Sequence, residues 1–267
     1  MINCIVTGAA GRMGRRILEL LIENPNTDVS CATERAGHEL VGMDVGDYLG
    51  LGKKGGTISD DLAKVVSGGD VVIDFTFPEV TLENARIASE AGKAMVIGST
   101  GFNAGQLEQM AGFAKRIPIV LAPNMSVGVN LLLKILKDMA SVLDEEYDID
   151  IVETHHRHKK DAPSGTALKM AQVIADGRGR KLEDVAVYAR HGNIGERKKG
   201  EIGVQALRIG DVVGDHTVIF GTQGERIEIT HKASSRDVFA RGAVRAALWV
   251  AGRKPGLYDM QDVLGIK

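Results

Sequence analysis

The sequence predicts an α/β protein in two parts: a doubly wound parallel sheet, then an α+β domain built on a mixed sheet. Three observations predict it. Up to about residue 125, short β-branched runs alternate with helical patterns, and that alternation builds parallel sheets covered on both faces. After Asn124 one long helical pattern leads into a series of strands separated by turns. A final helical pattern, 238–252, is free to return to the first sheet.

Strands are expected at 2–7, 28–34, 70–76, 93–99 and 117–123. Between them, 12–23, 78–92 and 103–116 repeat apolar residues at three and four, as in Ile17, Leu20 and Leu21, and Gly92 suits the position just past a helix end. The second part starts with a helix over 125–143 and a strand in YDIDIVETHH, apolar at 147, 149 and 151. Further strands are read in 185–189, 202–209, 216–221 and 225–233. The domains so defined are 1–126 with 237–267, and 127–236.

Composition narrows the function. The 267 residues carry 33 basic and 35 acidic side chains, a balance that argues against a nucleic-acid or anionic-membrane surface. Only Cys4 and Cys31 occur, which fits a reducing compartment. No apolar run reaches the roughly 18 residues a membrane span needs, and the N-terminus lacks a signal-peptide pattern. A soluble, cytoplasmic protein with no membrane partner is expected.

In CIVTGAAGRMGRRI, Gly8, Gly11 and Gly14 lie between a strand and a helix. A turn without Cβ atoms lets a pyrophosphate approach the backbone and rest on the helix N-terminus, where free N–H groups and the dipole favour negative charge. Glu34 ends the second strand 20 residues after Gly14, where an acid bonds adenosine ribose hydroxyls; Arg35 beside it can pair with a 2′-phosphate. The first domain therefore reads as Rossmann-type and dinucleotide-binding, and the Glu34–Arg35 pair as tolerance of both NADH and NADPH. GSTGF (98–102) and APNMS (122–126) follow two further strands and should line the same crevice.

The stretch ETHHRHKKDAPSGTA (153–167) gathers three histidines and three permanent cations in HHRHKK. A metal site is disfavoured, because Arg157, Lys159 and Lys160 repel a divalent cation and the segment follows a strand. A solvated basic loop is the bland alternative. The downstream residues favour an anion-binding, proton-transferring site. Ser164 suits an N-cap, Pro163 stiffens the approach, and Ser164, Gly165 and Thr166 present N–H groups and hydroxyls to a carboxylate. Histidine exchanges protons near neutral pH, a cationic neighbourhood favours its neutral form, and lysine suits neutralisation of a developing anion.

ETHHRHKKDAPSGTA is similar to the signature of the dihydrodipicolinate (4-hydroxy-tetrahydrodipicolinate) reductase family of lysine biosynthesis. VTGAAGRMGR, DFTFPE, GSTGF, APNMSVGVN and GERIEITHKASSRDVFARGAVRAALW resemble the same family in order and spacing, over nearly the whole chain. The resemblance implies His155 as proton donor/acceptor, Lys159 as the second proton-donating residue, His156 as a substrate contact, and Gly165 with Thr166 as the substrate-carboxylate cradle. It implies a pyrophosphate loop of Gly8, Ala9, Ala10, Gly11, Arg12 and Met13, with Glu34 at the ribose and Arg35 at the 2′-phosphate. Gly98, Ser99 and Thr100, and Ala122, Pro123, Asn124 and Met125, flank the nicotinamide. Phe77 stands where some relatives carry a basic residue.

The implied activity is NAD(P)H-dependent reduction of 4-hydroxy-tetrahydrodipicolinate, a small dicarboxylate, in the diaminopimelate route, by a homotetramer joined through the second domain's sheet. The alternative is another two-domain NAD(P)-dependent oxidoreductase acting on a small dicarboxylate. A semialdehyde dehydrogenase needs a catalytic cysteine, and none follows residue 31. A nucleotide-sensing protein that had lost catalysis would not keep both His155 and Lys159. The segment 190–203 reads as a long exposed basic loop, with Arg190 and Arg197 either solvated or reaching substrate.

Overall fold

The structure is a computed structural model that describes residues 1–266. It divides into two compact units, Met1–Val127 with Asp237–Gly265, and Gly128–Arg236. In chain order the first unit begins with β1 (Ile2–Thr7), α1 (Arg12–Glu23), β2 (Thr27–Thr33), α2 (Val45–Leu49), β3 (Thr57–Ser59) and α3 (Leu62–Val65). It continues with β4 (Val71–Asp74), α4 (Pro78–Glu90), β5 (Ala94–Ile97), α5 (Ala104–Ala114) and β6 (Pro118–Leu121). Next come α6 (Val127–Val142), β7 (Asp148–His155), α7 (Gly165–Gly177), α8 (Leu182–Val185), β8 (Ala186–Val187), β9 (Ile202–Arg208), β10 (Gly214–Thr222) and β11 (Glu225–Ala233). The chain then returns to the first unit as α9 (Asp237–Val250), β12 (Gly256–Tyr258) and α10 (Met260–Leu264).

The first sheet has seven parallel strands in the order β12-β6-β5-β4-β1-β2-β3. The chain winds outward from β1 to β3, then from β4 the other way, so the carboxyl ends of β1 and β4 flank a topological switch point, where open α/β sheets bind ligands. Side chains alternate between faces. Cys4, Val6, Ile73 and Val96 pack with Ile17, Leu18 and Leu21 of α1 and Ala243 and Ala247 of α9. Ile5, Val72, Met95 and Ile97 pack on the other face with Leu62, Ala85 and Met110. Both cysteines are free and buried, and burial pushes the Cys4 thiol up to about 12.

The expected strands appear with shifts at some ends: 70–76 shortens to Val71–Asp74, whereas 216–221 lengthens to Gly214–Thr222. Two edge strands, β3 and β12, were not expected. Each has three residues, too few to set up an apolar period. The strand expected at 185–189 shrinks to Ala186–Val187, because Leu182–Val185 first closes a helical turn.

The second unit holds a mixed sheet, β11-β10-β7-β9-β8, in which β10 runs antiparallel to β7 and β11, and β9 parallel to β7 and β8. One face packs Ile149, Ile151, Val204, Val218 and Phe220 against Leu133 and Leu136 of α6 and Met170 and Ile174 of α7. Along β7 the alternation is regular, but its last two inward positions are Glu153 and His155.

The basic segment 190–203 needs a correction. Much of it is exposed, but Arg190 and Arg197 both fold back onto the Asp150 carboxylate of β7. Arg197 also donates to the carbonyls of Ile149 and Glu201, each at 2.7 Å. These arginines therefore anchor the loop to the sheet.

Candidate active site

In the first unit the glycine turn is shaped by close approach. Gly8 has φ +69°, in the left-handed region, and its carbonyl accepts the Gly11 N–H at 3.0 Å. A Cβ on Gly14 would stand 2.1 Å from that carbonyl. Helix α1 is capped by Gly11 with no side-chain hydrogen bond, so its first N–H groups remain for an anion. The Glu34 carboxylate accepts the N–H of Ala10 at 2.9 Å and that of Arg35 at 3.0 Å. Ala9 is buried, and Ala10, Arg12 and Arg35 are exposed around this turn, with Met13 half-buried. Glycines at the close-approach positions 8, 11 and 14, an uncapped helix start and an acid at the next strand end fit a dinucleotide.

The strand-end segments 98–100 and 122–125 follow the adjacent strands β5 and β6. Their residues differ in what they can offer. Thr100 and Pro123 are exposed, Gly98 and Asn124 are half-buried, and Ser99, Ala122 and Met125 are buried. The Ser99 hydroxyl is already committed, donating to Asp74 at 3.0 Å. Buried Asp74 also accepts from the hydroxyls of Thr7 (2.9 Å), Thr76 (2.8 Å) and Thr81 (2.8 Å), the Thr76 N–H (3.0 Å) and the Asn84 amide (2.7 Å). It ties together the carboxyl ends of β1, β4 and β5 and the first turns of α4.

In the second unit, strand register assembles a polar cluster. Glu153 pairs across to His216 on β10, and His155 pairs across to Arg208 on β9. Glu153 is fully buried and each of its oxygens accepts twice. Oε2 takes His155 Nδ1 at 2.5 Å and Arg208 Nη1 at 3.0 Å. Oε1 takes the Ser164 N–H and Arg208 Nη2, both at 3.0 Å. Arg208 also donates to the Asp161 carbonyl at 2.5 Å, holding the loop between β7 and α7.

Ser164 caps α7, its hydroxyl accepting the Ala167 N–H at 3.1 Å. The same oxygen lies 3.0 Å from His216 Nε2, and the His216 ring stands edge-on to His155 with centroids 5.2 Å apart. Lys159 donates to Asp161 at 2.9 Å. Gly165 is exposed, and His156, Lys159 and Thr166 are half-buried on the same loop and helix start.

Electrostatics follow from these contacts. Burial alone would raise the Glu153 carboxyl, but hydrogen bonds from Arg208 and His155 more than offset it, leaving it below the ordinary carboxylate range. Burial, reinforced by the charge of His155, pulls His216 down to about 4. Partial burial and nearby Arg236, His155, His158 and Lys159 lower His156. Asp161 is lowered first by its hydrogen bond from Lys159. At both His156 and His216 burial is the larger cause and the neighbouring positive charges the smaller. Among the described residues no group of three or more His, Cys, Asp or Glu side chains could hold a metal ion.

Glu153, Arg208, His216 and Asp74, which anchor these clusters, went unassigned in the sequence. Glu153 carried a signal, since a carboxylate at an inward position of an apolar alternation demands buried partners. Two of those partners, His155 and Ser164, are local, but Arg208 lies 55 residues away and reaches it only through the pairing of β9 with β7.

Comparison with known proteins agrees with this architecture. Residues 2–125 match the family model described as "Dihydrodipicolinate reductase, N-terminus", and 128–264 match "Dihydrodipicolinate reductase, C-terminus". The 4-hydroxy-tetrahydrodipicolinate reductases of Syntrophus aciditrophicus and Geobacter metallireducens are 55% and 56% identical, over 100% of both chains in each case. A dipicolinate-bound dihydrodipicolinate reductase structure from Paenisporosarcina sp. TG-14 is 25% identical, with a TM-score of 0.79 over 98% of each chain. An amine dehydrogenase from Mycobacterium smegmatis shares the fold at 15% identity, with a TM-score of 0.62 over 96% of this chain and 94% of that one. With both domain models matched in order and full-length identity above half, this chain belongs to the dihydrodipicolinate reductase family.

Proposed function

We propose that this protein reduces 4-hydroxy-tetrahydrodipicolinate to tetrahydrodipicolinate in the diaminopimelate route of lysine biosynthesis. The observation that carries the reading is the Glu153 carboxylate, which bonds both the His155 ring and the Ser164 amide. It brings a proton-exchanging side chain and a helix N-terminus together beside a strongly cationic loop. Full-length relatives named for the same activity support it, as does the dipicolinate, a dicarboxylate, held by the Paenisporosarcina enzyme.

A bound NADH or NADPH supplies the hydride. Gly8 to Met13 hold its pyrophosphate, Glu34 its ribose and Arg35 a 2′-phosphate where one is present; residues 98–100 and 122–125 border the nicotinamide. Glu34 and Arg35 together support use of both coenzymes. Lys159, His156 and the Ser164–Thr166 turn neutralise and bond the two substrate carboxylates. The substrate hydroxyl leaves as water, the ring gains a hydride, and one proton completes the balance. His155 provides that proton, with Lys159 stabilising the negative charge that develops. The protein works in the cytoplasm as a homotetramer joined through the second unit's sheet.

The test is loss of nicotinamide absorbance with each coenzyme, using substrate formed in situ from pyruvate and aspartate semialdehyde. Oxidation that depends on both precursors supports the assignment. No oxidation with either coenzyme refutes it.

A further inference from the structure

The Glu153 carboxylate, fully buried behind the proton-exchanging histidine, takes no direct part in the hydride or proton step, so its own role is still to be assigned. Burying Glu153 is expensive unless every lone pair finds a donor. Four donors surround it, two from Arg208, one from the Ser164 backbone and one at His155 Nδ1. The first three cannot act as acceptors, and a carboxylate held ionised by a bidentate arginine accepts only. The fourth contact must therefore also be a donor, which puts a hydrogen on His155 Nδ1. The ring's other nitrogen points toward Gly214 of β10, where an added Cβ would stand 2.9 Å from Nε2. A side chain at 214 would crowd that atom; glycine leaves it clear.

We propose that Glu153, clamped by Arg208, is a positioning residue that fixes the Nδ1–H tautomer of His155 and so makes Nε2 the atom that exchanges a proton with substrate. It also sets the distance between His155 and the carboxylate cradle, because the same carboxylate bonds the Ser164 amide at the start of α7. Arg208 serves both sides: it neutralises Glu153 and holds the Asp161 carbonyl, so the loop carrying Lys159 is registered to the same anion. Ordering a histidine tautomer through a hydrogen-bonded carboxylate is a general device, and its loss is costly where the ring must work at one nitrogen. The inference rests on His155 being the proton donor of the proposed reaction.

Two measurements test it. Ring-nitrogen NMR of the wild-type protein over a pH series, assigned by the signals lost in His155→Gln, is expected to show that the neutral form of His155 carries its hydrogen at Nδ1. A ring protonated at Nε2 would overturn the proposal, whatever the catalytic result. Second, Glu153→Gln is expected to lower kcat by about 10²- to 10⁴-fold, with coenzyme KM unchanged and His155 showing a mixed tautomer signal. A folded E153Q enzyme with kcat within a factor of about three of wild type would also overturn it. Should that variant not fold, the wild-type tautomer decides alone. His155→Ala separates the two ideas: turnover surviving in H155A defeats the catalytic reading, whereas inactive H155A beside active E153Q defeats only the positioning role.

Discussion

His155 and His216 stand edge-on, yet their surroundings ask different things of them. His216 is almost fully buried at the centre of the sheet, and burial, with the charge of His155 next, lowers it to about 4. The carboxylate of Glu153 opposes that shift and His231 and Lys159 add to it. In the unfolded chain the same group titrates at its ordinary 6.5. Between these values the unfolded state takes up a proton that the folded state refuses, so stability falls as pH drops from 6.5 toward 4. The loss amounts to about 3 kcal/mol at most. His216→Gln should flatten that part of the profile, read from urea unfolding at successive pH values; an unchanged slope would assign the acid sensitivity elsewhere. Glu153, whose own value is depressed, gives up its stabilisation only at lower pH, below the ordinary carboxylate range. Lys159 tests the charge argument at the same scale. Its ammonium now bonds Asp161 and must exchange that partner for substrate. Lys159→Ala is expected to raise substrate KM and lower kcat/KM by about 10²-fold; steady-state kinetics with an unmoved KM would remove its neutralising role.

At the scale of elements, long periodic segments were legible and short ones were not. Helix α1 and strand β11 occupy the spans read from the sequence, because their apolar or β-branched patterns persist to recognisable turn residues. Strand β3 and helix α2 lie in a glycine-rich stretch whose order comes from Asp44, which accepts four backbone N–H groups from Gly46, Asp47, Lys54 and Gly55. No periodicity announces such a loop. The site divides in the same way. His155, Lys159 and Ser164 lie within one short stretch and could be read locally, whereas Glu153 depends on Arg208, brought by β9, and Ser164 meets His216, brought by β10. Asp74 shows what this costs when missed. It holds the ends of β1, β4 and β5 to α4 through side chains of Thr7, Thr81, Asn84 and Ser99. Asp74→Ala strands several buried donors at once and should cost about 3 kcal/mol or more. The urea midpoint of the first unit's unfolding checks it, and a change below about 1 kcal/mol would mean that water or neighbours replace the carboxylate.

For the whole molecule, the mixed sheet of the second unit raises the question of assembly. Its inner face is closed by α6 and α7. On the opposite face, strand pairing sets Val152 beside Gln205 and Thr217, Thr154 beside Leu207, and Ile219 beside Asp150. Asp150 is held by Arg190 and Arg197, but Leu207 is 44% exposed and Val152, Thr217 and Ile219 are partly so. Asp150 and Glu228 flank Ile219, but Val152, Gln205, Thr217 and Thr230 form an uncharged strip that can stack on a second sheet at about 10 Å. A charge placed among them would be buried without a partner on association, yet would remain solvated in the lone chain. If the proposed tetramer is joined through this face, Thr217→Glu should shift the sedimenting species from the mass of four chains toward the 28.5 kDa of one. Thr217→Ser, a change of one methyl group on the same face, should leave the assembly whole. If Thr217→Glu sediments like the wild type, the proposed assembly is not built through this face.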